Sequence, residues 1–161
     1  MPDEMLLKEF GVLRQPGAEA ALEYAAARGS VQAELEAVMA ERGARSAYYP
    51  EHLSAMMQDN LANHFRYMDS VFQLYDVRSF VETVTWVFAT YMGRGVRAEY
   101  WKAMLPECLD ILRRRLTLTS FAEIAPFYEA LLRNVDRFAL ARERFDFGAG
   151  AFLPKDEAHE A

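Results

Sequence analysis

FVETVTWVFATYMGRGVRAEYW, residues Phe80 to Trp101, decides the fold class of this chain. Phe80, Val84, Val87 or Phe88, and Tyr91 recur in steps of three and four, which places them on one face of a helix. Asp76 stands where an N-cap belongs, so the spacing predicts a helix over Val77 to Met92. Trp86 falls on another side, leaving the helix apolar nearly all round, and such a helix is expected at the centre of a bundle. Gly93 and Gly95 then end it, because two glycines so close together are costly inside a helix. Tyr100-Trp101 opens the next helix, about Ala98 to Leu116, with Pro106 as a bend or restart.

The same periodicity extends in both directions, and no strand-like alternation bounded by turns occurs. Asp3 to Leu13 can form a short first helix. Pro16 and Gly17 open a helix over Ala18 to Arg28, which Gly29 is expected to stop. Ser30 can cap another, Val31 to Arg42, closed by Gly43. Ala44 to Tyr49 reads as a loop. From Pro50 or Glu51 a long helix runs to about Tyr75, with Leu53, Met57, Leu61, His64, Met68, Val71 or Phe72, and Tyr75 on its stripe. Ser120 is expected to cap a last helix, Phe121 to about Phe145, with Glu123 in the reciprocal position. Its seam is Phe121, Ile124, Tyr128, Leu131, Val135 and Phe138, a heptad run fit for core packing or for pairing two copies. The expectation is an all-α bundle of six to seven helices in one domain, residues 1–147. Residues 148–161, small, polar and acidic, are expected to be a disordered tail.

Composition sets the remaining limits. The chain has 161 residues, 52% of them hydrophobic, enough for one sizeable core. A net charge of −6 argues against nucleic-acid or anionic-membrane partners, which need clustered positive charge. A single cysteine, Cys108, allows no internal disulfide and fits a reducing cytoplasm as a small core residue. The apolar run Val84 to Met92 is far too short to span a membrane. No Glu-x-x-His pair lies in the helices, so no carboxylate metal site is expected. No set of residues suggests a catalytic constellation either, and the expectation is that the chain is not an enzyme.

The segment Phe80–Trp101 resembles the iron-bearing stretch of globin-type sensor domains, the globin-coupled sensor and protoglobin-like family. In that pattern a phenylalanine is followed eleven positions on by the haem-binding histidine, then by a Gly-Leu or Gly-Val pair and two aromatics. Phe80, Gly95, Val96, Tyr100 and Trp101 fall in place without a gap, and Tyr91 stands where the histidine belongs. His64-Phe65 is similar to the histidine-aromatic pair of the preceding helix. Bacterial relatives of such sensors include haem-free ones. The resemblance implies a globin-like sensory or regulatory module of the haem-free kind, a homodimer through its last two helices, and a separate signalling protein downstream. Any cofactor or pocket ligand would then meet Tyr91, His64, Met68, Phe88 and Trp101. Dimer contacts would fall on Leu112, Leu116, Phe121, Tyr128, Leu131, Val135 and Phe138.

Two alternatives stand beside this reading. One is a haem-binding gas or redox sensor, with Tyr91 as a phenolate ligand assisted by Arg94, or with His64 on the iron. The other is a structural protein-interaction bundle. For His64 itself the plainer expectation is a satisfied core histidine bonded to Asn60, one turn earlier. The run Arg113, Arg114 and Arg115 reads as a solvated helix end that suits the helix dipole.

Overall fold

A computed structural model describes residues 3–41 and 45–145. The chain forms the expected all-α bundle, and no strand occurs among the described residues. Among the described residues seven α-helices have seven residues or more: α1 (Glu4–Gly11), α2 (Ala18–Glu41), α4 (Ser54–Gln73), α5 (Val77–Gly93), α6 (Ala98–Arg115), α7 (Leu118–Arg133) and α8 (Val135–Ala141). A single turn, α3 (Arg45–Tyr48), lies where a loop was expected, and 3-10 turns cover Glu51–Leu53 and Arg142–Phe145. Gly43 and the tail at 148–161 lie outside the described residues.

Local chemistry accounts for several of the boundaries. The Asp3 carboxylate accepts from the amides of Met5 and Leu6 and starts α1, while Asp76 accepts from Ser79 N at 2.9 Å and starts α5. Gly95 is the sole residue with positive φ among those described, at 111°, and it turns the chain from α5 into α6. A Cβ at this position would come within 3.3 Å of the Pro50 ring. The adjoining Arg97 amide donates to Tyr48 O at 2.8 Å, pinning the turn to the segment before α4. Gly95→Ala is therefore expected to cost about 1–3 kcal/mol, since it forces a side chain into a sparsely populated region. Chemical denaturation should register this as a lower midpoint with an unchanged slope.

The structure corrects four expectations. The first concerns Gly29 and Ser30, which do not break the chain; α2 runs unbroken through both. One exposed glycine costs about 1 kcal/mol in a helix interior. That is less than α2 gains by burying Tyr24 on one side of it and Val31 and Leu35 on the other. Secondly, α6 keeps the expected extent but does not restart at Pro106; it passes through the proline, whose ring is exposed, as is Lys102 one turn earlier, where water can satisfy the freed carbonyl.

The third correction falls on the last helix. Its cap is Thr117, not Ser120, and its start is held by Glu23 of α2, which accepts from the Thr117 amide, from Thr117 Oγ1 at 3.1 Å and from Ser120 Oγ at 2.6 Å. Glu123 accepts from Gly17 N at 2.8 Å instead of closing a capping box. The helix also divides at Asn134, whose side chain donates back to Ala130 O at 2.8 Å.

The fourth correction is that α5 is not central. The middle of the bundle is α2, which packs on α4, α6 and α7, while α5 stands at the side against α1 and α8. Rings tie the elements together: Phe10 of α1 meets Phe80 at 5.4 Å and Phe138 at 5.5 Å, and Phe127 links Phe72 to Tyr75. The heptad seam closes the chain's own core. Leu112, Leu116, Tyr128, Leu131, Val135 and Phe138 are all buried within one copy, and Phe121 is half-buried beneath the Arg113 guanidinium. None of the six buried side chains is on offer to a second copy. The arginine run is also less free than a solvated end: Arg114 and Arg115 both bind the Glu34 carboxylate, at 2.6 and 2.8 Å, tying α6 to α2.

Candidate functional site: a cavity between α4, α5 and α6

The side position of α5 explains why it is apolar on more than one face. One face, with Phe80, Val81, Thr85 and Phe88, is buried in the bundle. Another, with Val84, Val87 and Tyr91, lines a cavity of about 350 Å³. The opposite wall is the Asn60, Asn63, His64 and Tyr67 face of α4, and the floor is Trp101, Met104 and Leu105 of α6 with Leu131 of α7. A hollow of about 50 Å³ beside Tyr100 is far smaller, with room for one or two waters at roughly 30 Å³ each. A third, along Val12 to Pro16 and α7, is a surface groove beside a connecting segment.

Four of the five candidate ligand-contact residues meet in the cavity: Tyr91, His64, Phe88 and Trp101. Met68 does not. It lies on the other buried face of α4, with Met57, Leu61, Phe65 and Phe72, and is almost fully buried. Phe88 and Trp101 stack with centroids 4.1 Å apart. Their contact bridges α5 and α6 across the glycine turn, so the stretch from Phe80 to Trp101 builds two sides of the cavity.

His64 is bonded across the bundle instead of to Asn60. Its Nε2 lies 3.0 Å from the Tyr128 hydroxyl of α7, which in turn lies 2.7 Å from the Tyr24 hydroxyl of α2. Cys108 of α6 is buried beside Tyr128. Burial governs the ionisation of the whole group. It pushes the Cys108 thiol up to about 12, holds both tyrosines well above their usual range, and lowers His64 to about 4. All four are therefore uncharged at neutral pH. Tyr91 is raised too, by burial first; the nearby Arg94 opposes this and Asp59 adds to it.

Tyr24, Tyr128 and Cys108 were not foreseen as members of the site. Tyr128 fits the apolar rhythm of α7, and the hydroxyl that distinguishes it from phenylalanine carries no sign of a partner 64 or 104 positions away. A polar side chain in the middle of an apolar seam was the one available signal.

The cavity is a poor match for haem. A porphyrin brings two carboxylates, and no Lys or Arg lines the cavity to pair with them. His64 Nε2 is already engaged by Tyr128, and the Tyr91 phenol is held in its protonated form. A cavity of about 150 Å³ takes benzene. The present one is a little over twice that size, short of a four-pyrrole macrocycle. The residues present do not fit the group.

Among the described residues no cluster of three or more His, Cys, Asp or Glu could hold a metal ion, and no helix is long and apolar enough to cross a membrane. Comparison with protein-family models, with curated proteins and with solved structures gives no match, so the resemblance of Phe80–Trp101 to sensor globins rests on its own residues.

Proposed function

We propose that this chain is a globin-like sensory or regulatory module that binds a small, mainly apolar molecule in the cavity between α4, α5 and α6. The observation that carries this reading is the cavity itself. At about 350 Å³, it lies within the range of ligand sites, with apolar and aromatic walls and a few convergent polar groups. Such a hollow costs packing energy when empty, because its lining loses contacts on one side. Occupation would stabilise the arrangement of α5 against α4 and α6, and α5 also holds α1 and α8. Ligand binding is thereby linked to the packing of both described ends of the chain. A homodimer, as the resemblance implies, would have to use the outer faces of α6 and α7, since the seam is buried.

Thermal unfolding against a set of small uncharged aromatics, with haemin as a separate arm, tests the proposal. A true ligand at a hundred times its Kd adds about 2.7 kcal/mol and raises Tm by several degrees. Val87→Trp, which fills the cavity from α5, is expected to abolish that response. If no compound shifts Tm and Val87→Trp simply stabilises the chain, the cavity is a packing gap and the bundle is a structural or interaction protein. A haemin adduct with a Soret band lost in Tyr91→Phe would instead establish the haem-sensor reading.

A further inference from the structure

The rings in the cavity walls differ in what they still have to offer. Tyr67 is stacked on Phe80, with centroids 6.2 Å apart and 11° between the planes. Phe88 lies near-parallel both to Trp101, at 4.1 Å and 24°, and to Phe138, at 5.5 Å and 22°. No ring contact joins Trp101 to Phe138 among the described residues, so the two take opposite faces of Phe88. The three rings form a column that runs from α8 through α5 to α6. Trp101 ends it, with Phe88 on one face. The other described ring that meets Trp101 is Tyr100, which approaches edge-on at 88°, so the second face of the indole has no parallel ring among the described residues.

Trp101 is also the ring best shielded from water among those with a face to spare. It is 5% exposed and forms part of the cavity floor, whereas Tyr91 is half-buried and Trp86 is 44% exposed. A flat ring laid on such a face gains stacking beyond the area it buries, while a saturated ring of the same skeleton gains burial alone. No Lys, Arg, Asp or Glu contributes to the described walls. A charged molecule would therefore lose its hydration without gaining a counter-charge. A volume a little over twice the roughly 150 Å³ that takes benzene has room for two fused rings.

We propose that the cavity selects an uncharged planar aromatic molecule of one or two fused rings, which stacks on the second face of Trp101 and lengthens the column by one member. This rests on the reading of the cavity as a ligand site and adds the chemistry of what enters it. Trp101 is then the residue that sets specificity, and the column connects the occupied cavity through Phe88 to Phe138 of α8.

Two probes of one carbon skeleton, 2-naphthylmethanol and its decahydro analogue, are titrated into the full chain by calorimetry. Both are uncharged and both carry an aliphatic hydroxyl, so whatever that group bonds in the walls is common to the pair. The saturated probe buries at least as much apolar surface, and burial alone would favour it. 2-Naphthylmethanol is expected to bind roughly two- to tenfold more tightly, the worth of one aromatic pair. Trp101→Leu should abolish the preference while both probes still bind. Where that variant does not fold, proton NMR of the unaltered chain reads the same contact. Nuclear Overhauser effects should join the naphthyl ring to the Trp101 indole, with the naphthyl protons moved upfield by the indole ring current. Equal affinities, or tighter binding by the saturated probe, would overturn the selection of planar rings and leave the cavity reading standing. A preference that survives Trp101→Leu, or naphthyl contacts to Tyr91 alone, would overturn the role of Trp101. No binding by either probe, with no shift in Tm, would sink the ligand site itself.

Discussion

Phe80→Ala is expected to lower the unfolding free energy by about 3–5 kcal/mol, the usual cost of truncating a fully buried ring. Phe80 is 1% exposed and stands among Phe10, Tyr67, Tyr75 and Phe127, with centroids between 5.4 and 6.3 Å. Those rings belong to α1, α4, the segment after α4, and α7. A void here cannot close by the shift of one neighbour, because each is fixed on a different element. Against a total stability of about 5–15 kcal/mol, the loss is a large share. Differential scanning calorimetry should show Tm lowered on the order of 10 °C. A fall of only a degree or two would mean that α5 is not held by this cluster.

The second large effect is a loss of stability on mild acidification. Burial lowers His64 from the ordinary 6.5 to about 4, so the folded chain resists a proton that the unfolded chain takes up near pH 6.5. Between those values the unfolded state binds more protons, and stability falls as pH falls. The contribution is fully present above about pH 6.5, is lost progressively toward pH 4, and amounts to about 3 kcal/mol. Glu23, Glu34 and Asp76 are held below the usual carboxylate range by their hydrogen bonds, so their effect comes at lower pH. Urea denaturation at pH 7 and pH 5 should therefore differ in the intact chain and differ far less in His64→Phe. A variant that keeps the same slope would place the acid sensitivity elsewhere.

What was legible in the sequence was whatever a helix settles with its own residues. The stripe on α5, the Asp76 cap and the turn at Gly95 each depend on side chains within a few positions. The misread points were settled by distant partners. Thr117, Thr119 and Ser120 are all able to cap, and Glu23 of α2 decided among them by taking both Thr117 and Ser120. Gly29 looked like a stop because the burial on either side of it was not visible. Seen as a stripe, α4 gave one face; in the bundle it has two, so His64 and Met68 point into different surroundings. The cavity was half legible: Tyr91, His64, Phe88 and Trp101 were named through a resemblance, whereas the hydroxyl chain behind His64 needed three helices in place.

The lateral seat of α5 also bears on the order in which the chain can assemble during synthesis. Its packing surfaces come from α1, made before it, and from α8, made after α6 and α7. As the chain leaves the ribosome, α2, α4, α6 and α7 can gather while Val77–Gly93 still lacks half of its seat. Docking of α5 is then expected as a closing event, gated by the emergence of Val135–Ala141. Until that moment Phe88, whose ring meets Phe138 of α8, lacks that cover, and the nascent chain is at its most vulnerable to association with its neighbours.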